Sequence, residues 1–417
     1  MTKPEQESKK RFVSYAIFVF AFVIVLINLI SLVFPSLIVT LLDDSGLIGE
    51  PFEPSGWLYP LLITNLAVLI FGVLYFAKKL PHFVQKSINF IRNFEVSSNI
   101  AAIAVVGIIF GYAGLSIQDL SIDESIAYGD YKRVKEVIDK WPNSEGVDKS
   151  LYILHVKNVL LKLSEIVFHN LRVVPLLVSI SLLIVTYFFT VQLTKKRFAG
   201  LVALIVLLQS YTFLVFDTLA TYENSWTLFY LLSLYLIEKK WFLSPIAYVA
   251  SLFSKPLTAA YFPLTLFYTY CSSIPRRSKI YVLCSYIIIA FVAVLGLYVL
   301  EIEIGGGILQ GQLNFDYIDF WSSFTTWSYQ LRFETIFLLF ILPLVVALFF
   351  TAQKGMPQAI SVLALIAGLI ISMSFLTAFT SFNLHPYRYV TLVVFFAIGV
   401  GTLLPKKSIN RSESGSN

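Results

Sequence analysis

A small set of polar side chains in this sequence stands where ordinary packing gives no reason for it. Asp123 and Glu124 are adjacent in "LSIQDLSIDESIAYGDYKRV", and paired carboxylates can take a proton from a hydroxyl or hold a cation. Lys255 interrupts the apolar "LFSKPLTAAYF", Arg388 and Tyr389 form the centre of "HPYRYV", Arg172 opens "LRVVPLLV", and Glu223 lies in "ATYENSW". Charges set in apolar sequence are costly and mark functional positions. Each also has a structural reading. Asp123 can N-cap the following helix, and Glu223 with Asn224 and Ser225 can cap the next. Lys255 can snorkel to an interface, Arg388 can anchor at one, and Arg172 can pair with a loop acid.

The elements that must position these residues are membrane helices. Of 417 residues, 57% are hydrophobic and 13% charged, and the mean hydropathy is +0.78, which excludes an ordinary soluble domain. A bilayer needs about 20 mainly apolar residues per helical span. Runs of that kind lie near residues 12–34, 57–76, 100–117, 171–194, 198–216, 226–237, 242–253, 257–270, 280–300, 336–350, 359–379 and 390–404. The fold class expected is therefore an all-α integral membrane protein with about twelve transmembrane helices. The segments on either side of Lys255 are short enough to be one broken helix or a hairpin. The run from Phe12 has no small-residue cleavage site and is read as a retained span. Two cysteines, Cys271 and Cys284, suggest neither a disulfide framework nor a metal cluster.

Short cytoplasmic loops collect Lys and Arg. With both termini cytoplasmic, most of the 31 basic residues fall inside, in clusters such as "KKR" at Lys195 to Arg197 and "RRSK" at Arg276 to Lys279. Outside the long third-to-fourth loop, only Arg172, Lys255, Arg332 and Arg388 are left on the outer side. That loop repeats apolar residues at helical spacing, first at Tyr131, Val134, Ile138 and Trp141, then from Leu151 to Val167. Two amphipathic helices lying along the membrane interface, apolar side down, are expected there. The acidic pair then sits at the depth of a lipid head group.

The acidic "DE" after a membrane helix, the two amphipathic helices, "TLATYENSWTLFYLLSLYLIEKKW", "VASLFSKPLTAAYF" and the late "HPYRYV" together resemble the GT-C glycosyltransferases that use polyprenyl-phosphate sugars. The branch resembled holds protein O-mannosyltransferases and the lipid A aminoarabinose transferases. The resemblance runs from about residue 100 to residue 404 by order of features. It implies an inverting transfer of a sugar from a polyprenyl-phosphate carrier to an acceptor hydroxyl, on a lipid, glycan or protein, at the outer face of the cell membrane. In that reading Asp123 is the general base and Glu124 binds acceptor or a divalent metal ion. Lys255, Arg388, Tyr389 and Arg172 hold the donor phosphate, and Glu223 faces acceptor or metal. Arg332 matches nothing in the family.

The domain organisation that follows is a two-span extension over 1–99, a GT-C-like core over 100–404 with an external catalytic loop at 118–170, and a disordered cytoplasmic tail over 405–417. In many relatives the acidic loop follows the first helix, whereas here it follows the third. The oligosaccharyltransferase signature "WWDYG" has no counterpart, and a Gly- and aromatic-rich stretch over 301–330 is expected to cover the site or contact the acceptor. Membrane lipids are expected partners. No nucleotide-binding loop, zinc spacing or nucleic-acid signature occurs. The rival class is a multi-span transporter or flippase, or a non-catalytic membrane subunit, although the two halves show no similarity of the kind transporters carry. The topology is checked by cysteine labelling from outside: Ser144→Cys should react and Ser408→Cys should not, and the opposite pattern would invert the arrangement.

Overall fold

The computed structural model describes residues 3–42, 50–141, 155–299, 314–380 and 385–406. Residues 142–154, 301–313 and 407–417 lie outside the described residues, and with them Ser144, the first part of the Gly-rich stretch and nearly all of the expected tail. Among the described residues the regular structure is entirely helical. In chain order the helices are α1 (Lys3–Val33), α2 (Pro35–Leu42), α3 (Leu58–Phe76), α4 (His82–Asn93), α5 (Ser98–Ser116), α6 (Glu124–Ala127), α7 (Tyr131–Lys140), α8 (His155–Phe168), α9 (Val173–Thr194) and α10 (Arg197–Leu207). They continue with α11 (Tyr211–Val215), α12 (Ser225–Lys239), α13 (Ser244–Ser254), α14 (Phe262–Cys271), α15 (Arg276–Val299), α16 (Tyr317–Gln330), α17 (Thr335–Gln353), α18 (Gln358–Thr380) and α19 (Val390–Thr402). Short 3-10 turns at Ile117–Ser121, Pro256–Tyr261 and Pro386–Tyr389 link some of them.

Six of these segments are long and apolar enough to cross a membrane: Arg11–Val33, Leu58–Tyr75, Ser98–Ser121, Val173–Thr194, Thr335–Gln353 and Gln358–Phe379. Other expected spans fall on shorter elements. α12 has 15 residues, α13 has 11 and α14 has 10, and at 1.5 Å per residue none alone reaches the roughly 30 Å of a hydrocarbon core. The break at Lys255 has a local cause. Pro256 disfavours the helical conformation at the residue before it, and Lys255 is extended, with φ −156° and ψ 116°.

α9, α10, α12, α18 and α19 form the apolar centre, and α19 is buried along nearly its whole length. Close approach there depends on glycine. A Cβ on Gly401 would stand 2.7 Å from the Ala199 carbonyl and 2.6 Å from the Thr190 methyl, the small-residue contact that membrane helices use to pack. α1 is part of the same core. Phe18 stacks on Phe349 with ring centroids 4.3 Å apart, and the Ser328 hydroxyl donates to the Asn28 carbonyl at 2.9 Å.

The spans define two ends. α5 finishes and α9 begins beside the loop that carries the acidic pair, whereas the α9–α10 turn, with Lys195 to Arg197, lies at the other end together with α4. Replacing Gly401 by Val should cost about 1–3 kcal/mol, as overpacking does, read as a lowered unfolding temperature of the detergent-solubilised protein.

Candidate functional site

The segment from Asp217 to Asn224, between α11 and α12, is where the polar groups converge. It is irregular chain buried in an apolar protein, so its peptide groups need partners. Glu124 supplies several. It is 2% exposed, and its carboxylate accepts from the Ala220 N–H at 2.7 Å, the Thr221 N–H at 3.1 Å and the Thr221 hydroxyl at 2.8 Å. Arg172 binds the same segment from the other side. Its Nε donates to the Thr218 carbonyl at 3.2 Å and lies 3.3 Å from Glu124, and another nitrogen donates to the Thr218 hydroxyl at 2.8 Å. A third reaches the Ile122 carbonyl at 2.7 Å. Lys157 donates to the Thr221 carbonyl at 2.6 Å, and Asp217 accepts from Tyr112 and Ser116.

These contacts bear on two expectations. Glu124 was expected to meet acceptor or metal, and Arg172 to meet phosphate. Both are spent on one buried ion pair and on backbone, because an unsatisfied peptide group at this depth costs more than a free carboxylate gains. Among the described residues no group of three His, Cys, Asp or Glu side chains could hold a metal ion.

Asp123, one residue earlier, points the other way. It is exposed and caps α6, its carboxylate accepting from the Ser125 N–H at 2.8 Å, and that bond holds its pKa below the ordinary carboxylate value. The surface hollow beside it is lined by Ser125, Tyr131, Lys132, Lys135, Glu136, Asp139 and Lys140. Neither Lys255 nor Arg388 lines that hollow.

A second cluster forms where the α13–α14 break meets the 3-10 turn at Pro386–Tyr389. The Lys255 ammonium stands 3.7 Å from the ring centre of Tyr387 and 5.3 Å from that of Trp226. Its described neighbours are rings, with no ion pair or hydrogen bond to it. Arg388 is buried and lies against Tyr387. Burial, then the charges of Arg388 and Lys157, push the Lys255 pKa well below the ordinary lysine value, and Glu223 offsets only part of this. Burial lowers Lys157 in the same way, against Glu223, Glu124 and Asp130. Three cations therefore act on one another here, and Glu223 is the acid that acts on both lysines, an arrangement in which an added anion would be favoured.

Glu223 is 5% exposed, and its carboxylate accepts from the Ser225 N–H. It caps α12 and also faces the cations. Tyr389 does not join them. It is fully buried in the apolar core, against Trp327, because one step of a 3-10 turn rotates a side chain by about 120° and sends Arg388, also buried, in a different direction. Arg332 is elsewhere, its guanidinium over the rings of Tyr329 and Phe333.

Three contributors were not singled out from sequence. Lys157 lies on the protein-facing stripe of α8 with Asn158, Leu161 and Ser164, whereas Val159, Leu163, Ile166 and Val167 face outward. The signal was available as a polar stripe opposite the apolar one. Tyr222 and Tyr387 stack at 4.3 Å with rings 15° apart, and Tyr222 donates to Asp130 at 2.9 Å. α7 also differs from expectation. Its apolar residues Tyr131, Val134 and Ile138 pack on Leu161, Leu171 and Ala220, so they cover protein and not membrane.

No family model, no curated protein and no solved structure matches this chain. Removing one partner of a buried ion pair leaves the other charge uncompensated, so Glu124→Gln should destabilise the protein by about 3–5 kcal/mol. Thermal unfolding of the purified protein checks this, and Asp123→Asn, on the exposed side of the same turn, should leave the unfolding temperature unchanged.

Proposed function

We propose that this membrane protein transfers a sugar from a polyprenyl-phosphate carrier to an acceptor hydroxyl at the outer membrane face, on a GT-C-like scaffold. The observation that carries the reading is the Lys255 ammonium, held between aromatic rings beside Arg388 and Lys157 and making no ion pair of its own among the described residues. A phosphate is the ligand such a cluster suits, because it brings negative charge to the Lys255 ammonium and can make charge-assisted hydrogen bonds to the cations. The position of the cluster, at the ends of apolar helices, suits a phosphate carried on a lipid.

In the proposed reaction the acceptor oxygen forms its bond to the anomeric carbon as the carbon–oxygen bond to the phosphate breaks. The bonding pair leaves on the phosphate oxygen, where Lys255, Arg388 and Lys157 offset the charge that develops. The acceptor proton goes to a carboxylate. The resemblance gives that role to Asp123. Two facts support Asp130 instead: it holds Tyr222, which stacks on the Tyr387 ring beneath Lys255, and its charge acts on Lys157 and His385.

Incubating the purified protein with polyprenyl-phosphate sugars and following release of polyprenyl phosphate tests the reading. No release from any member of the set would remove it. Asp130→Asn keeps the acceptor for Tyr222 but abolishes proton uptake, so turnover should fall by roughly 10²–10⁴-fold, with Tyr222→Phe nearer wild type. Loss in Asp123→Asn alone would return the base to Asp123.

Lys255→Ala should weaken polyprenyl-phosphate binding. The pH dependence follows from the lowered Lys255 pKa: the ammonium binds the anion, so affinity should be full at low pH and fall as pH rises through a value below that of a free lysine. Lys255→Arg should flatten that dependence, because a guanidinium stays charged.

A further inference from the structure

At the end of the protein away from the cations, α4 joins two membrane-crossing segments, Leu58–Tyr75 and Ser98–Ser121. Its sequence, "HFVQKSINFIRN", buries no residue in the protein. Phe83 is 71% exposed, Phe90 65% and Ile91 49%. At 100° per residue these three share one broad arc with Val84 and Ile88, and His82, Lys86, Asn89 and Asn93 cluster on the remaining side. A helix tethered at both ends to membrane spans, with one apolar and one polar face, lies in the plane of the interface.

The charges around it are mostly of one sign. Lys78, Lys79, Lys86, Arg92, Lys195 and Arg197 are all exposed, and α4 itself carries no acid. Glu95 is the acid nearest in sequence, and it accepts from the Arg197 N–H at 3.0 Å. The helix is also fixed in place. The buried Lys196 ammonium donates to the Arg92 carbonyl at 2.7 Å, and Phe94 meets Phe198 edge to face at 4.9 Å.

We infer that α4 and the adjoining Lys195–Arg197 turn form a docking surface for anionic phospholipids, with Phe83, Phe90 and Ile91 in the acyl boundary and the six cations on the phosphates. The occupant follows from charge complementarity and from continuity with the two spans. A cationic rim around exposed aromatics matches an anionic headgroup layer, and the spans set the helix at that depth. This inference does not depend on the proposed transferase activity.

The test uses full-length protein with Cys271 and Cys284 replaced by serine, reconstituted in vesicles of equal parts phosphatidylcholine and phosphatidylglycerol. Spin labels are placed at Phe90→Cys or Asn89→Cys. The label at 90 should be relaxed by oxygen and that at 89 by a water-soluble nickel chelate. In a second arm, native mass spectrometry counts retained phosphatidylglycerol in wild type and in the Lys78→Gln, Lys79→Gln, Lys86→Gln, Arg92→Gln variant. Retention should fall about fivefold per charge removed. Because these side chains are exposed, the unfolding temperature should not change. Equal nickel access at both labels would put the helix in water, and access by neither reagent would mean that a second copy covers it. Unchanged lipid retention would remove the charges from the interaction. Each of these outcomes overturns the proposal.

Discussion

The structure depends on how the irregular segment from Asp217 to Asn224 satisfies its peptide groups inside an apolar protein. Regular helices meet this requirement internally, but the turn between α11 and α12 has to borrow donors and acceptors from elsewhere. It takes them from α6 through Glu124, from the start of α9 through Arg172 and from α8 through Lys157, while Tyr112 and Ser116 at the end of α5 donate to its Asp217 side chain. Elements far apart in sequence are thereby tied to one turn. The α13–α14 break and the Pro386–Tyr389 turn then bring Lys255 and Arg388 near it.

That arrangement separates structural from available charge. Glu124 and Arg172 neutralise each other and are saturated by protein groups, so a ligand would have to displace bonds already made. Lys255 has rings for neighbours and makes no ion pair. Lys157 does both, since it binds the Thr221 carbonyl and also contributes to the field at Lys255. Charges lie close together here, but only those without a protein partner remain to act on something else.

Sequence made the membrane character legible, because apolar runs report it directly, and it identified Lys255 through the cost of a charge beside Pro256 in an apolar stretch. It also offered both structural alternatives that the fold adopts, capping by Asp123 and pairing of Arg172 with a loop acid. It could not choose between neighbours. Asp123 and Glu124 differ by one step along the chain, and the start of a helix turns one outward and the other in. Arg388 and Tyr389 also point in different directions, although both are buried. Lys157 escaped notice because the apolar stripe of α8 was weighed and the opposite stripe was not, and the partner of that polar stripe is a turn some sixty residues later in the chain.

α8 has a consequence for traffic through the membrane. Its apolar side faces away from the protein and its polar side, with Lys157, faces inward, so under the proposed function the helix would act as a partition between lipid and site. If the proposed polyprenyl-phosphate donor is the ligand, its isoprenoid tail would slide along the outer side while only its head swung inward. It would reach the ammonium groups laterally, and its tail would never be exposed to water. At about 25 cal/mol per Å² of apolar surface, exposing such a tail would be the largest barrier on any other route.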